Sequence, residues 1–238
     1  MIALKGFKNI FLTEKTEVFN VIQNNLRNSI PQYVSIVDSV VLNRAMSDIS
    51  YLELLESFNH LICDSSLIIF LYNLKYKKSL TGYNGPDLFI NLIPQREYSQ
   101  LLIGTTNEIF KKIKDKSENE NLFYIDIGFK ENYLDFNYEI IEKYIIDNNI
   151  NILWVMLGNP KQDYFAKRLK ERDNINSVVF TAGAAYLFFL NEISNSSFRV
   201  KGLKILWINR ITQDPIRQLK RSMKTLLNIF NFFRLIQK

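Results

Sequence analysis

Two aspartates stand where apolar runs stop: Asp38 closes "YVSIVD" and Asp64 closes "HLICD". A carboxylate held at such a strand end can take the proton from a substrate hydroxyl. It can equally accept hydrogen bonds from the first amides of a following helix, because Asp is a strong N-cap. The two roles are compatible. Asp87, in "GYNGPDLFINLI", follows Gly85 and Pro86 and opens a helical stretch. Capping is its expected task, with its loop turned toward the same rim.

A third group lies in "WVMLGNPKQDYFAKRL", where Gly158, Asn159, Pro160, Lys161 and Gln162 make a strand-to-helix turn. The amides of a helix start suit an anion such as a phosphate. Gln162 brings a donor and an acceptor for a neutral polar ligand such as a sugar. A capped turn with a solvated lysine fits the spacing as well. Further on stand Arg210, Arg217 and Arg221. The last two, four residues apart, share a helix face. Guanidinium forks match phosphate oxygens, and a solvated or lipid-facing surface is the alternative.

What is missing narrows the chemistry. No G-x-G-x-x-G follows a strand and no G-x-x-x-x-G-K-[ST] occurs, which argues against a dinucleotide enzyme or a P-loop ATPase. One histidine, His60, and one cysteine, Cys63, make no zinc set. No G-x-S-x-G elbow is present. No D-x-D triplet is present to hold a divalent metal on a diphosphate; if a diphosphate leaves in this site, its charge must be met by arginine, lysine or helix N-termini. No cofactor is expected.

The elements that position these residues are legible as short apolar runs alternating with helical periodicity. Strands are expected at Tyr33–Asp38, His60–Asp64, Gln100–Gly104, Asn121–Gly128, Ile150–Gly158 and Ser177–Gly183. Helical stretches are expected at Ser39–Ser57, Asp87–Ile93, Thr106–Lys114, Tyr138–Asp147 and Gln162–Arg172. The alternation predicts an α/β domain with a mostly parallel sheet covered on both faces. Ligands of such sheets collect outside the carboxyl ends of the strands. That rim reads Asp38, Asp64, Gly104, Gly128, Gly158 and Gly183. Turn geometry alone accounts for any single glycine, but four beside two aspartates point to a polar pocket.

Charge divides the 238 residues unevenly. From Arg199 onward there are ten basic residues against Asp214 alone, or +9, while the preceding body carries 20 basic and 23 acidic residues, or −3. The tail asks for an acidic partner: phosphate, anionic lipid or nucleic acid. Asp214-Pro215 reads as an N-cap followed by proline at the first helical position. Ile216, Leu219, Met223, Leu226, Phe230 and Phe233 then recur at three and four, with basic residues on other faces. This is a basic amphipathic helix, either docked on the body or lying on a membrane surface. Nucleic acid is disfavoured, because no aromatic platform interleaves the basic residues. The expected organisation is a catalytic domain over residues 1–198 and a basic helical appendage over 199–238. A lone cysteine suits a reducing compartment, and the opening residues show no long apolar signal segment. The expected place is the cytoplasm, at the inner face of the cell membrane.

These segments together resemble a known family. "LGNPKQDYF" is similar to the GxPKQE signature of the WecG/TagA/CpsF glycosyltransferases. "ICDSS", "GPDLFINLI", "LLIGTTNEIF" and "WINRITQDPIRQLKR" resemble further segments of that family in the same order, from about Tyr33 to Arg221. The resemblance implies a Rossmann-like α/β fold and an inverting, metal-independent transferase. It implies a UDP-linked donor sugar of N-acetylmannosamine type or a relative, and an acceptor sugar on a polyprenyl diphosphate. The product would feed cell-surface polysaccharide such as teichoic acid or capsule. It also implies Asp64 as the base, polar pocket residues near Ser35, Asp38 and Gln162, and Arg210, Arg217 and Arg221 over the nucleotide diphosphate. Ser65, Gly82 and Asp163 depart from the family pattern, which bears on the donor sugar more than on the reaction class. The rival reading is a non-catalytic module of the same fold that binds a nucleotide or an anionic lipid.

Overall fold

Strand runs that are apolar on both sides of the pleat can only sit in a sheet buried on both faces. The computed structural model describes residues 1–9, 11–193, 199–200, 203–204 and 228–237. Its first half runs β1 (Ala3–Leu4), β2 (Phe11–Leu12), α1 (Lys15–Asn28), β3 (Gln32–Val37), α2 (Ser39–Ser47), α3 (Ile49–Glu56), β4 (His60–Cys63) and α4 (Ser66–Tyr76). Next come α5 (Gly85–Leu92), β5 (Gln100–Ile103), α6 (Asn107–Ser117), β6 (Leu122–Tyr124), α7 (Tyr138–Asp147), β7 (Ile152–Val155) and α8 (Lys161–Lys170). The chain continues with β8 (Val178–Thr181), α9 (Tyr186–Phe189), β9 (Arg199–Val200), β10 (Leu203–Lys204), α10 (Ile229–Leu235) and β11 (Ile236–Gln237).

Seven strands form one parallel sheet in the order β2-β4-β3-β8-β7-β5-β6. Every residue of β3, β5, β7 and β8 is buried. Alternate side chains of each strand enter two separate cores, one per face. Leu153, Val155 and Val179 join the helices α2, α3, α4, α7 and α8 on one side. Ile152, Trp154, Val178 and Phe180 join α1, α5 and α9 on the other. The expected α/β class, a parallel sheet between helical layers, is what the chain adopts.

The helices α1, α4 and α9 and the two-residue strands β1, β9, β10 and β11 are not among the elements expected from the sequence, and three further details differ. A seventh strand, β2, pairs with β4 at the edge; at two residues it has too little periodicity to be read. The single helix expected over Ser39–Ser57 breaks at Asp48, whose backbone is extended and whose carboxylate accepts from the amides of Ser50 and Tyr51. A new helix thus starts at a fresh cap and turns Tyr51 toward the sheet. Strand β6 stops at Tyr124, well short of Gly128.

The end of the chain packs on the body. β11 pairs antiparallel with β1. Phe232 and Ile236 are fully buried, and Lys75 on α4 donates to the carbonyls of Phe233 and Ile236. Of the residues expected on the apolar stripe of the tail, Phe230 is exposed and Phe233 is partly covered by the Lys75 ammonium, 5.2 Å from its ring centroid. Among the described residues, no helix is long and apolar enough to cross a membrane. Arg210, Arg217, Arg221 and the Asp214-Pro215 cap lie outside the described residues.

Candidate active site

A crevice forms in a parallel sheet where neighbouring strands send their exits to opposite faces. Here β3 leads to α2 and β7 to α8, both on one face. β8, which lies between β3 and β7, leads to α9 on the other. The carboxyl ends of β3, β8 and β7 therefore border the crevice, with the end of β4 next to β3. Ser35, Asp38, Asp64, Gly158 and Gly183 all fall on these ends or their exits.

Asp64 follows β4 directly, and its amide donates to the carbonyl of Val37 at 2.9 Å, extending the ladder by one residue. The cap of α4 is Ser65, whose hydroxyl accepts from the amide of Ile68. The capping role considered for Asp64 thus belongs to its neighbour. Gly85 opens α5 beside it: a Cβ there would lie 3.5 Å from Asp64 Oδ2 and 3.1 Å from the Ile36 side chain. The close fit is against Ile36, where a Cβ would crowd the side chain, while the distance to Asp64 is ordinary contact. The start of α5 thus lies beside the carboxylate, and two segments 21 residues apart in sequence share one mouth. Asp87 does not cap α5 either. Asn84 does so, accepting from the Asp87 amide at 2.8 Å. Asp87 sits in the first turn, where a negative charge complements the helix dipole. Asp38, by contrast, caps α2 as expected, accepting from the amides of Val40 and Val41 at 2.9 Å each.

The turn after β7 is held from within. Gly158 and Gly104 both adopt positive φ, and a Cβ on Gly104 would strike the Leu157 side chain at 2.7 Å. Asn159 and Pro160 are joined by a cis peptide. Gln162, expected to face a ligand, is 1% exposed. Its amide nitrogen donates to Asn159 Oδ1 and the Thr181 carbonyl, and its Oε1 accepts from the Gly158 amide. Gln162 therefore shapes the turn from beneath, with Gly183 against it: a Cβ there would sit 3.6 Å from Oε1. Lys161 is not simply solvated. Its ammonium lies over the Phe129 ring, 4.6 Å from the centroid, and donates to the Lys130 carbonyl. It ties the loop after β6 to this rim.

Asp163 is completely buried. It accepts from Tyr51 Oη at 2.6 Å, Asn159 Nδ2 at 2.7 Å and Ser35 Oγ at 3.2 Å. Thr181 in turn donates to Ser35. Burial pushes the Asp163 carboxyl above the usual range, against the lowering effect of its donors, first Tyr51. Burial and the nearby carboxylate likewise raise the Tyr51 phenol. A carboxylate thus already occupies the first turn of α8, which disfavours the phosphate considered for that helix start. It also removes Asp163 as a base for an acceptor arriving from solvent, since no edge of it reaches the crevice. Ser35, fully buried in the same network, acts on the floor of the crevice rather than on its surface. Tyr51 and Thr181 escaped the sequence reading. Thr181 left one signal, a hydroxyl directly after the apolar run "SVVF"; Tyr51 left none, because its partner lies 112 residues away.

The family model described as "Glycosyl transferase WecG/TagA/CpsF family" matches residues 6–238. No curated protein matches the chain.

Proposed function

The chain belongs to the WecG/TagA/CpsF glycosyltransferase family, and from that premise we propose that it moves an N-acetylmannosamine-type sugar from UDP to a polyprenyl-diphosphate-linked acceptor. The acceptor hydroxyl attacks the anomeric carbon while its proton passes to Asp64. The bond from that carbon to the diphosphate breaks on the opposite side, UDP leaves, and the configuration inverts. Arg210, Arg217 and Arg221 are assigned to the departing diphosphate, and no metal is required. The observation that carries the reading is the half-buried Asp64 at the strand end beside Gly85. Of the other carboxylates near this rim, Asp38 caps α2, Asp87 lies in the first turn of α5 and Asp163 is sealed.

Attachment to the inner membrane face is part of the proposal. Phe230 is 77% exposed and Leu74 58% exposed on the packed helices α10 and α4. Lys77, Lys78 and Arg234 stand exposed on or beside the same two helices. Aromatic and aliphatic groups flanked by cations suit an anionic bilayer surface.

One assay tests both parts: UDP-N-acetylmannosamine is incubated with a polyprenyl-diphosphate glycan in anionic vesicles, in zwitterionic vesicles or in detergent. Transfer is expected, faster on anionic vesicles. Phe230→Ala is expected to slow the vesicle reaction and to spare the detergent one. Equal rates in all three settings would remove the membrane component. Tight nucleotide binding without transfer from any UDP-, GDP- or CMP-sugar would return the binding-module reading.

A further inference from the structure

We propose that Asp163 is a positioning residue for the transfer reaction, locking the Gly158–Gln162 turn to the floor of the crevice through Tyr51, Asn159 and Ser35. A carboxylate with no exposed surface is costly to desolvate and is tolerated where its acceptor sites are filled. Here neutral donors fill them, and each comes from a different part of the molecule. Tyr51 stands on α3, Ser35 on β3, and Asn159 in the turn itself. Packing of α8 does not require such a group, because Phe165, Ala166 and Leu169 already bury its apolar face. What the carboxylate does uniquely is fix the Asn159 side chain. Asn159 is a solvent-exposed residue whose two amide ends are both engaged: Nδ2 by Asp163 and Oδ1 by Gln162. Gln162 then holds the Gly158 amide. A chain of bonds thus runs from α3, outside the crevice, to the backbone at its edge. Loosening the first bond frees the last, while the sheet beneath keeps its own ladder.

The kinetic part of this proposal rests on the glycosyltransferase reading; the ordering of the turn does not. Tyr51→Phe removes one hydroxyl and leaves the ring, and Asp163→Asn turns an acceptor into a donor facing Tyr51 and Asn159. Amide exchange by NMR at Gly158, compared with Leu101–Ile103 in β5, reads the turn. Turnover of UDP-N-acetylmannosamine on the vesicle-borne acceptor reads the consequence. In Tyr51→Phe, exchange at Gly158 accelerates at least about tenfold with β5 unchanged, and kcat falls about tenfold with donor KM within about twofold. Asp163→Asn moves both in the same direction and further. Unchanged exchange at Gly158, equal acceleration across the whole sheet, or kcat within about twofold of the parent would each overturn the proposal. If the parent itself transfers no sugar, the reading of function fails, and exchange at Gly158 still decides whether Asp163 holds the turn.

Discussion

Asp64→Asn lowers turnover by roughly 10²–10⁴-fold and leaves UDP-sugar binding within a few-fold of the parent. The amide keeps the size of the side chain and loses its basicity, so the loss is the contribution of general-base catalysis. Initial rates on the vesicle-borne acceptor, with nucleotide affinity by calorimetry, check both halves. Ser65→Ala is the paired control. It removes the cap of α4, which costs about 1 kcal/mol of stability, and leaves transfer per folded molecule intact. Near-parental turnover of Asp64→Asn would remove Asp64 from the chemistry. A loss shared equally by Ser65→Ala would show that the strand end matters only as a fold element.

Trp154→Ala is the substitution expected to cost most in stability. Trp154 is fully buried in β7. Its ring stacks on Phe180 with centroids 5.0 Å apart and meets Phe89 edge-on at 4.9 Å. Its indole N–H donates to Gln100 Oε1 at 2.9 Å. Truncation opens a cavity between β7, β8 and α5 and leaves the Gln100 acceptor buried without its donor. The expected loss is about 3–5 kcal/mol. For a chain of this length that lowers the melting midpoint by roughly 10 °C. Calorimetry checks it; a shift below about 3 °C would mean that this core repacks freely.

The strands were legible because a sheet buried on both faces leaves uninterrupted apolar runs, as in Gln100–Ile103 and Ile152–Val155. The order of those strands was not, since nothing local tells β8 to insert between β3 and β7. The same limit governed the site. Asp64 and Asp38 announced themselves by ending apolar runs. Which of them capped a helix was decided one residue away, by Ser65 for α4 and by Asp38 itself for α2. Gln162 and Lys161 lay in a recognisable turn, yet their partners (Thr181, Phe129 and the Lys130 carbonyl) come from other strands and loops. Tyr51 became part of the site only because Asp48 breaks the helix before it. Motifs at strand ends are local and can be read; side chains that reach them from beneath are set by tertiary packing and cannot.

The most direct measurement of the central claim is the anomeric configuration of the newly formed linkage, read by NMR on product made from an α-linked UDP-sugar. A single displacement with Asp64 as base gives the β-linked product. An α-linked product would contradict it, because retention needs a second displacement that one carboxylate acting as a base does not supply.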